Sequence, residues 1–308
     1  MTPPQSAIDE ALAITRAFHR QPGAVSAAIQ RLAGGMNNAV YRVQLADQPV
    51  CVKLYKVDER QRAEREWQAL CWIGERGLGI APQPLHFAPD AELPAVVMEF
   101  VPGVSLSDQQ PGVRELAALA ATLKQLYALT PQISTYPHTV IGTPLGLMQR
   151  VESWLAQLAD RADEPLVAQI LAVMAQWESE ADRTILAMPA PLVFSRGDPN
   201  LANCLWDGQR VRCVDLEYSG WSDVAFDLAD LIEAQPSRHV SDPAWERFID
   251  LFELHDPAAQ ERLAAARRLC AVFWISLLWR RWERGEPVEH ELAGQTRRAR
   301  QRLKRATL

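Results

Sequence analysis

The most informative part of the sequence runs from Val193 to Trp206, Val-Phe-Ser-Arg-Gly-Asp-Pro-Asn-Leu-Ala-Asn-Cys-Leu-Trp, and continues from Val211 to Tyr218, Val-Arg-Cys-Val-Asp-Leu-Glu-Tyr. A polar loop broken by glycine and proline leads into an apolar strand, a turn and a second apolar strand. This hairpin is predicted to bring Asp215 back beside Asp198 and Asn203. Two carboxylates and an amide oxygen are hard ligands of the kind that Mg²⁺ prefers. The pattern therefore predicts a divalent-cation site at the hairpin.

A lysine and a glutamate upstream are predicted to pair. Lys53 lies in a strand over 50–55, on the face opposite Val50, Val52 and Leu54. In the helix predicted over 59–75, Glu66 shares a face with Ala63, Leu70 and Ile73. A carboxylate in such an apolar stripe needs a cation, and Lys53 is the obvious candidate. Without the glutamate, the favoured interpretation of Lys53 is a strand lysine that faces solvent.

A glycine and asparagine turn precedes these elements. It reads Gly34-Gly35-Met36-Asn37-Asn38 and leads into a strand. Glycine and asparagine both tolerate positive φ, and exposed backbone amides in such a turn can cap phosphate oxygens. The same residues also suit a plain hairpin turn, so the turn alone leaves both interpretations open.

The organisation along the chain predicts an α+β protein with two lobes. A small β-rich lobe over residues 1–101 ends at Pro102-Gly103, and a larger, mainly helical lobe covers 102–308. Antiparallel strands are predicted over 39–45 and 50–55, with a further strand over 95–100. Helices are predicted over 113–129, 146–160, 164–187, 223–235, 243–254 and 257–284. The run 296–305 carries six positive charges and is interpreted as a solvated terminal helix rather than a binding arm.

Composition excludes several classes of protein. The 308 residues carry 32 Lys and Arg against 38 Asp and Glu, a net charge of −6, and 48% of them are hydrophobic. This balance is typical of a globular protein, and the net acidity argues against a nucleic-acid partner. Five widely spaced cysteines in apolar surroundings read as core residues in a reducing compartment. No apolar run approaches the roughly 20 residues that span a bilayer, so a cytoplasmic protein without a membrane partner is expected.

Taken in order, these elements resemble the protein-kinase-like fold, and in particular the aminoglycoside phosphotransferase and choline kinase superfamily of small-molecule kinases. Members typically show His-Gly-Asp-x4-Asn, Ile-Asp-Trp/Phe-Glu and Asp-Leu-Ala. The corresponding stretches here are Arg196-Gly197-Asp198-x4-Asn203, Val214-Asp215-Leu216-Glu217 and Asp227-Leu228-Ala229. The resemblance covers almost the whole chain and implies a bilobal fold with a phosphotransferase active site between the lobes.

The resemblance also implies ATP and Mg²⁺ as cofactors and a role for each motif residue. Asp198 is expected to accept or orient the proton of the substrate hydroxyl, and Asn203 and Asp215 to hold Mg²⁺. Lys53, fixed by Glu66, is expected to bind the α- and β-phosphates. The remaining nucleotide contacts are expected from Gly34, Gly35, Asn37 and Asn38 and from backbone groups near Glu99 and Val101.

Three further residues around the motifs are expected to support the site, and two of them have alternative roles. By resemblance, Asp227 braces the catalytic loop through hydrogen bonds. Glu217 either stands behind the metal or faces the acceptor. Arg196 replaces the usual histidine, and either braces the loop by pairing with a nearby carboxylate or marks weakened activity. Because Asp198, Asn203, Asp215 and Lys53 are all present, an active enzyme is expected, and the alternative is a nucleotide-binding pseudokinase that acts through protein partners.

The expected acceptor is a small molecule with a hydroxyl group, either aminoglycoside- or sugar-like or a choline-like amino alcohol. Tyr218 and Trp221 are the candidates for its pocket. The aromatic run 273–282 resembles the C-terminal helix of choline-kinase-like proteins, but its i,i+4 pairs favour core packing over a cation-binding cage. From Asp198 to Glu233 the chain has eight acidic and two basic residues, the same net −6 as the whole chain. This concentration of acidity suggests Mg²⁺ and a cationic acceptor as the compensating charges.

Overall fold

A five-stranded antiparallel sheet forms the core of the N-terminal lobe in the computed structural model, which describes residues 2–21, 28–32, 38–46, 48–129, 136–177 and 179–303. Its strands are β1 (Ile29–Arg31), β2 (Asn38–Gln44), β3 (Pro49–Tyr55), β4 (Pro84–Ala88) and β5 (Ala95–Glu99). They lie in the order β1-β2-β3-β5-β4, and the predicted pairing of the second and third strands is confirmed. β4 was not predicted, because its short segment lacks a clear alternation of buried and exposed residues.

The two faces of this sheet are covered differently. On β3, Val50, Val52 and Leu54 pack under a helix, α1 (Gln5–Arg20), that the sequence analysis missed. The signal for α1 is the spacing of its buried residues Ile8, Ala11, Leu12 and Thr15. The alternate β3 residues, Cys51, Lys53 and Tyr55, turn to the other face. There Cys51 and Lys53 line the interlobe cleft.

The second helix, α2 (Arg62–Glu75), follows β3 and carries Glu66. It begins three residues after the predicted start, because Gln61 at its N-cap has left-handed backbone torsions (φ 50°, ψ 46°). Ala63, Glu66, Leu70 and Ile73 are all buried on one side of α2, as the 3-4-3 spacing predicted.

The C-terminal lobe is mainly helical, with short strands inserted between helices. The helices are α3 (Val113–Tyr127), α4 (Pro144–Ala159), α5 (Pro165–Met174), α6 (Ser179–Ala187), α7 (Val224–Glu233), α8 (Asp242–Asp250), α9 (Pro257–Glu283) and α10 (Glu289–Leu303). The strands are β6 (Val104–Ser105), β7 (Val193–Ser195), β8 (Cys204–Trp206), β9 (Val211–Cys213) and β10 (Gly220–Ser222). β6, β8 and β9 form one small sheet, and β7 pairs with β10.

The joint between the lobes requires a glycine at position 103. Gly103 has φ +153°, and a Cβ atom there would lie 2.9 Å from the carbonyl oxygen of Trp206 on β8. The chain therefore passes close to the β8–β9 hairpin as it leaves the small lobe.

The segment 164–187, predicted as one helix, forms two helices in the structure. The prediction of a single helix over 164–187 was wrong, since α5 ends at Met174 and α6 begins at Ser179. α5 packs against α10, whereas α6 packs against α9. The break is fixed by the buried carboxylate of Asp182, which accepts hydrogen bonds from the indole of Trp177 (2.7 Å) and from Arg268 of α9. Two different packing partners thus require two helix directions.

The C-terminal helix α10 has one buried face. The prediction of a solvated terminal helix was therefore wrong for that face. Gln295, Thr296 and Ala299 of α10 are buried. Arg298 and Arg302 point inward and donate to the fully buried carboxylate of Glu233 at 2.6 and 2.9 Å. Two arginines of the run predicted to be solvent-exposed therefore bind α10 to the end of α7 through Glu233.

Candidate active site

A cleft of about 480 Å³ lies between the sheet of the small lobe and the β8–β9 hairpin. Its apolar lining consists of Leu32, Val40, Cys51, Pro82, Met98, Phe100, Val101, Ala202, Leu205 and Val214. Its polar lining consists of Asn38, Lys53, Glu66, Glu99, Asp198, Asn200, Asn203, Asp215, Glu217 and Tyr218. Most of the candidate residues thus meet in one cleft with an apolar slot and a charged end. Gly34, Gly35 and Asn37 lie outside the described residues.

The hairpin brings three oxygen-bearing side chains together, as the sequence predicted. Cys204 on β8 lies opposite Cys213 on β9 in the strand register, and both cysteines are free thiols. This register places Asn203 and Asp215 at the open end of the hairpin. The Asn203 amide nitrogen donates to Asp198 at 2.5 Å and to Asp215 at 3.3 Å. Asp198, Asn203 and Asp215 therefore share one hydrogen-bonding cluster.

Unusual backbone conformations hold this cluster in place. Asp215 has φ +63°, a left-handed conformation that is uncommon for residues other than glycine and clusters at functional sites. Gly197, just before Asp198, has φ +66°, and a Cβ atom there would lie 2.2 Å from the carbonyl oxygen of Tyr218. Only glycine fits at position 197, which explains this element of the motif in physical terms.

The predicted pair of Lys53 and Glu66 is present. The Lys53 ammonium lies 2.6 Å from Oε2 of Glu66, and both side chains are buried, with 4% and 1% of the residue exposed. The other Glu66 oxygen accepts from the backbone N–H of Leu216 at 3.1 Å. The sequence did not indicate that the hydroxyl of Tyr55 also donates to Oε2 of Glu66, at 2.5 Å. Glu66 therefore links β3, α2 and the segment that follows Asp215.

Lys53 contacts two further carboxylates. Its ammonium lies 2.5 Å from Asp215 and 3.0 Å from Glu217. Burial opposes the charge on Lys53, but the carboxylates of Asp215 and Glu66 raise its pKa well above the usual value. Oxygens of Glu66, Asp215 and Glu217 all lie within 4.8 Å of one another. The ammonium thus holds together carboxylates from both lobes.

Glu217 lies behind Asp215 and is almost fully buried, with 2% of the residue exposed. Besides Lys53, it accepts hydrogen bonds from Asn38 at the start of β2 and from Arg62 at 3.4 Å. Burial, together with the charges of Asp215 and Glu66, raises the pKa of Glu217. Of the two roles left open for Glu217, the geometry favours support of Lys53 and Asp215 over contact with an acceptor.

Arg62 is a residue of the site that sequence reasoning missed. It lies in the first turn of α2, where the helix dipole disfavours a cation. It is nonetheless buried between Asp58, at 2.6 Å, and Glu217. Its basic side chain at an unfavourable helix position was the feature of the sequence that could have indicated a buried ion pair.

The loop that carries Asp198 is held through Asp227, the residue predicted to brace it. Asp227 accepts hydrogen bonds from the hydroxyls of Ser195 and Tyr127. The Ser195 oxygen in turn accepts from the backbone N–H of Gly197 at 2.9 Å. This chain of contacts fixes the residue before Asp198.

Arg196 braces the loop differently from the expectation of an ion pair. Its side chain is buried, and Nη2 donates to the backbone carbonyl of Asn200 at 2.8 Å. Within the described part of the chain, Arg196 makes no ion pair, and its Nη1 has no partner. Burial raises the pKa of Asp198, with a contribution from the charge of Asp215, while the positive charge of Arg196 opposes the shift. Arg196 therefore acts on Asp198 through the loop backbone and the local potential.

Tyr218 and Trp221, the two aromatic candidates for the acceptor pocket, lie in different surroundings. Tyr218 is half-buried and lines the cleft, whereas Trp221 packs against the rings of Trp72, Tyr136 and Phe194. The Trp221 indole donates to the carbonyl of Tyr136 at 2.9 Å. Trp221 therefore belongs to an aromatic cluster and is not among the residues that line the cleft.

The aromatic run of α9 packs in the core, as favoured from the sequence. Ile275, Leu278 and Trp279 are each no more than 1% exposed. The guanidinium of Arg161 lies over the ring of Trp279, 5.0 Å from its centroid. The face of this tryptophan is thus already occupied, which excludes it from a cage for a cationic ligand.

Arginines from elsewhere in the chain compensate much of the acidity between Asp198 and Glu233, so its assignment to the metal site was wrong in part. Glu233 contacts Arg267, Arg298 and Arg302, and Asp223 contacts Arg262 at 2.8 Å. The acidic groups that face the cleft are therefore a smaller set, made up of Asp198, Asp215 and Glu217 from this segment.

Glu99 and Val101 lie at the far end of the cleft from Lys53. Both line the apolar slot where the chain leaves β5. The Glu99 carboxylate accepts two hydrogen bonds from Arg212 of β9. Burial alone would raise the pKa of Glu99, but the hydrogen bonds from Arg212 and from the backbone N–H of Gln83 lower it.

The fold and the cleft define a kinase-like phosphotransferase class, and the family comparison agrees. The model of the phosphotransferase enzyme family matches residues 28–266, and the chain belongs to this family. No curated protein sequence matched the chain. Within the described residues, no helix is long and apolar enough to cross a membrane.

Solved structures share the fold at low sequence identity. A choline/ethanolamine kinase family protein from Mesorhizobium loti is 19% identical, with a TM-score of 0.68 over 96% of this chain and 95% of that one. A choline kinase from Cryptosporidium parvum is 14% identical, with a TM-score of 0.62 and 95% of each chain covered. A spectinomycin phosphotransferase, solved with ADP and spectinomycin, is 14% identical, with a TM-score of 0.57 over 90% of this chain and 88% of that one. These likenesses establish the bilobal α+β architecture.

Proposed function

We propose that this protein transfers the γ-phosphoryl group of ATP to a hydroxyl group of a small molecule. The observation that carries the proposal is the meeting of Lys53, Asn203, Asp215 and Asp198 at one end of an apolar cleft. Transfer of a phosphoryl group depends mainly on positioning and on compensation of charge. A cleft with an apolar slot at one end and this charged cluster at the other suits a purine and a polyphosphate, respectively.

Lys53 is the proposed ligand of the nucleotide phosphates. Its charge is held in place by Glu66, which Tyr55 and the Leu216 backbone also fix. In the structure the ammonium contacts Asp215 as well, so a bound phosphate competes with that carboxylate. Asn38, Glu217 and Arg62 support this end of the cleft from three different elements.

Asn203 and Asp215 are the proposed Mg²⁺ ligands. The donor set fits, since the Asn203 amide lies against both Asp198 and Asp215 and its rotation by 180° presents an oxygen to the same place. Bound Mg²⁺ would supply compensation for the charge of the phosphates. The left-handed backbone of Asp215 aims its carboxylate into this cluster.

Asp198 is the proposed catalytic residue. A bond forms between the acceptor oxygen and the γ-phosphorus, the bond from this phosphorus to the oxygen of ADP breaks, and the hydroxyl proton passes to the Asp198 carboxylate. Burial raises the pKa of this carboxyl group, which makes it a better proton acceptor once it is ionised. The loop contacts of Gly197 and Asn200 fix its position.

The acceptor is proposed to be a hydroxylated amine. Among the described residues of the cleft, the aromatic rings are Phe100 and Tyr218, which do not form a multi-sided cage. Asp198 and Tyr218 both line the cleft, so an amine near them has a carboxylate and one ring as partners. Solved relatives include proteins named for choline and for spectinomycin, and both kinds of acceptor belong in the test.

The test is ADP formation and product mass with a panel of aminoglycosides, choline and ethanolamine. We expect turnover with at least one acceptor and a loss of about 10²–10⁴-fold in kcat for Asp198→Asn, with nucleotide binding retained. Asp250→Asn, an exposed position on α8, is the matched control. Nucleotide binding without turnover of any acceptor would favour the pseudokinase. The kinase proposal fails if neither ATP nor Mg²⁺ raises the Tm.

A further inference from the structure

A bidentate ion pair joins the end of β5 to β9. The guanidinium of Arg212 donates from Nη1 to one Glu99 oxygen at 2.7 Å and from Nη2 to the other at 2.6 Å. Arg212 is 6% exposed. Two parallel charge-assisted hydrogen bonds of this kind fix orientation as well as distance. The pair therefore sets the position of one strand against the other.

The same arginine also holds the segment that leads into β4. Nη2 donates to the carbonyl of Ala81 at 2.7 Å, and the neighbouring backbone N–H of Cys213 donates to Ile80 at 2.8 Å. Gln83 in turn exchanges hydrogen bonds with Glu99, whose side chain accepts from the Gln83 N–H at 3.1 Å. Both strands at this edge of the small lobe are thus tied to β9.

This network connects two ends of the proposed nucleotide site. Arg212 precedes Asp215 by three residues on the same strand and turn, and Glu99 precedes Val101 by two. Asp215 belongs to the charged cluster, and Val101 belongs to the apolar slot. A shift of β9 against β5 would therefore change the distance between the proposed sites of the phosphates and the base.

We propose that Arg212 is a positioning residue for the nucleotide: through Glu99 it holds the base end of the cleft in register with the metal-binding hairpin. The inference rests on the proposed function. Lysine cannot reproduce this role, because one ammonium does not make the two parallel bonds to Glu99 and also reach Ala81. The lowered pKa of Glu99 agrees with a carboxylate that stays ionised in the pair.

The test measures the affinity for Mg–ADP and for a non-hydrolysable ATP analogue in the full chain. We expect Arg212→Met and Glu99→Gln each to raise the nucleotide Kd about tenfold, which corresponds to about 1.4 kcal/mol. The double variant is expected to bind about as weakly as either single one, because both changes remove the same contact. In turnover, KM for ATP rises, while kcat and KM for the acceptor change little. Arg212→Lys is expected to recover only part of the affinity.

Arg16→Met is the matched control, since Arg16 also pairs with a carboxylate of the small lobe, Asp90 at 3.3 Å, away from the cleft. A Kd unchanged in Arg212→Met, with only a lowered Tm, would show a merely structural role and overturn the inference. If Arg212→Met does not fold, Glu99→Gln and Arg212→Lys decide on the same criterion. If the wild-type protein binds no nucleotide, the proposed function itself fails; if it binds and the variants bind equally, only the positioning role fails.

Discussion

The hydroxyl of Tyr55 and the ammonium of Lys53 converge on the same oxygen of Glu66, at 2.5 and 2.6 Å. The Lys53 ammonium also lies over the Tyr55 ring, 4.9 Å from its centroid. Tyr55 and Lys53 are alternate residues on one face of β3, and Glu66 reaches them from α2. The buried ion pair is thus a three-residue unit, with tyrosine fixing the carboxylate that fixes the lysine.

Tyr55→Phe tests this unit. Because it removes a hydrogen bond to a buried charged group, we expect a loss of about 1.5–3 kcal/mol in the free energy of unfolding. The nucleotide Kd should rise as well, since Glu66 holds Lys53 less firmly. Urea denaturation and nucleotide titration measure the two effects. Tyr41→Phe, which removes a bond to His19 on the far side of the sheet, should leave the Kd unchanged. Equal effects of the two variants on the Kd would contradict the claim that Tyr55 positions Lys53 through Glu66.

Arg196 is predicted to set the acid limb of the pH–rate profile. In the proposed mechanism Asp198 must be ionised to accept a proton, so activity should rise as the pH passes through its pKa. Burial raises this pKa and the charge of Arg196 lowers it. Arg196→Met should therefore move the rising limb to higher pH, whereas Arg196→Lys, which keeps the charge, should move it less. The profile of kcat/KM measures the shift, and an unmoved limb in Arg196→Met would refute the prediction.

Asp230 is predicted to destabilise the fold above neutral pH. Burial, together with the charges of Asp227 and Asp198, raises the pKa of Asp230 to about 7. A carboxyl group whose pKa is higher in the folded than in the unfolded state favours folding at low pH. This contribution is lost as the pH rises from about 4 to about 7.

Asp230→Asn should remove this dependence. At pH 8 we expect the variant to be more stable than the wild type by at least ~1 kcal/mol, with no gain at pH 4. Urea denaturation at both pH values measures the difference. An equal effect of the substitution at pH 4 and pH 8 would show that the titration of Asp230 does not contribute.

Glu233 is predicted to be a main stabiliser of the C-terminal helix. This carboxylate at the end of α7 is fully buried and contacts Arg267 of α9 and Arg298 and Arg302 of α10. Removal of its charge leaves these three arginines with only the more exposed carboxylates of Glu246 and Asp242 as partners, so Glu233→Gln should cost about 3–5 kcal/mol of stability. Burial opposes its charge, but these arginines lower the pKa of Glu233. Its contribution is therefore present above the unfolded pKa and is lost as the pH falls through the folded pKa.

Glu246→Gln is the matched control, since Glu246 pairs with the same Arg267 but is largely exposed. Its effect should stay below about 1 kcal/mol. Denaturation curves of both variants decide the matter, and a similarly small effect of Glu233→Gln would contradict the assigned role. The nucleotide Kd of the folded Glu233 variant should match the wild type, because this cluster lies away from the cleft.

Contacts that depend on local pattern could be predicted from the sequence. Alternation along β3 and the 3-4-3 spacing on α2 placed Lys53 and Glu66, which are 13 residues apart, on facing surfaces. The hairpin after Asp198 likewise placed Asn203 and Asp215, because a short turn leaves one pairing of the strands. In such cases, the period of the secondary structure decides which face a side chain occupies, and the short connection decides its partner.

Contacts between distant segments could not be predicted in this way, because they depend on how the folded elements pack. Arg212 and Glu99 are 113 residues apart, and Arg62 and Glu217 are 155 apart. Periodicity does not tell which of many charged residues meet when lobes and helices pack. The same limit explains the error over α10, since the arginines on its inner face meet Glu233 only through the packing of α10 on α7. Local pattern thus predicted the proposed catalytic cluster, whereas packing over long chain separations determines how that cluster is held in place.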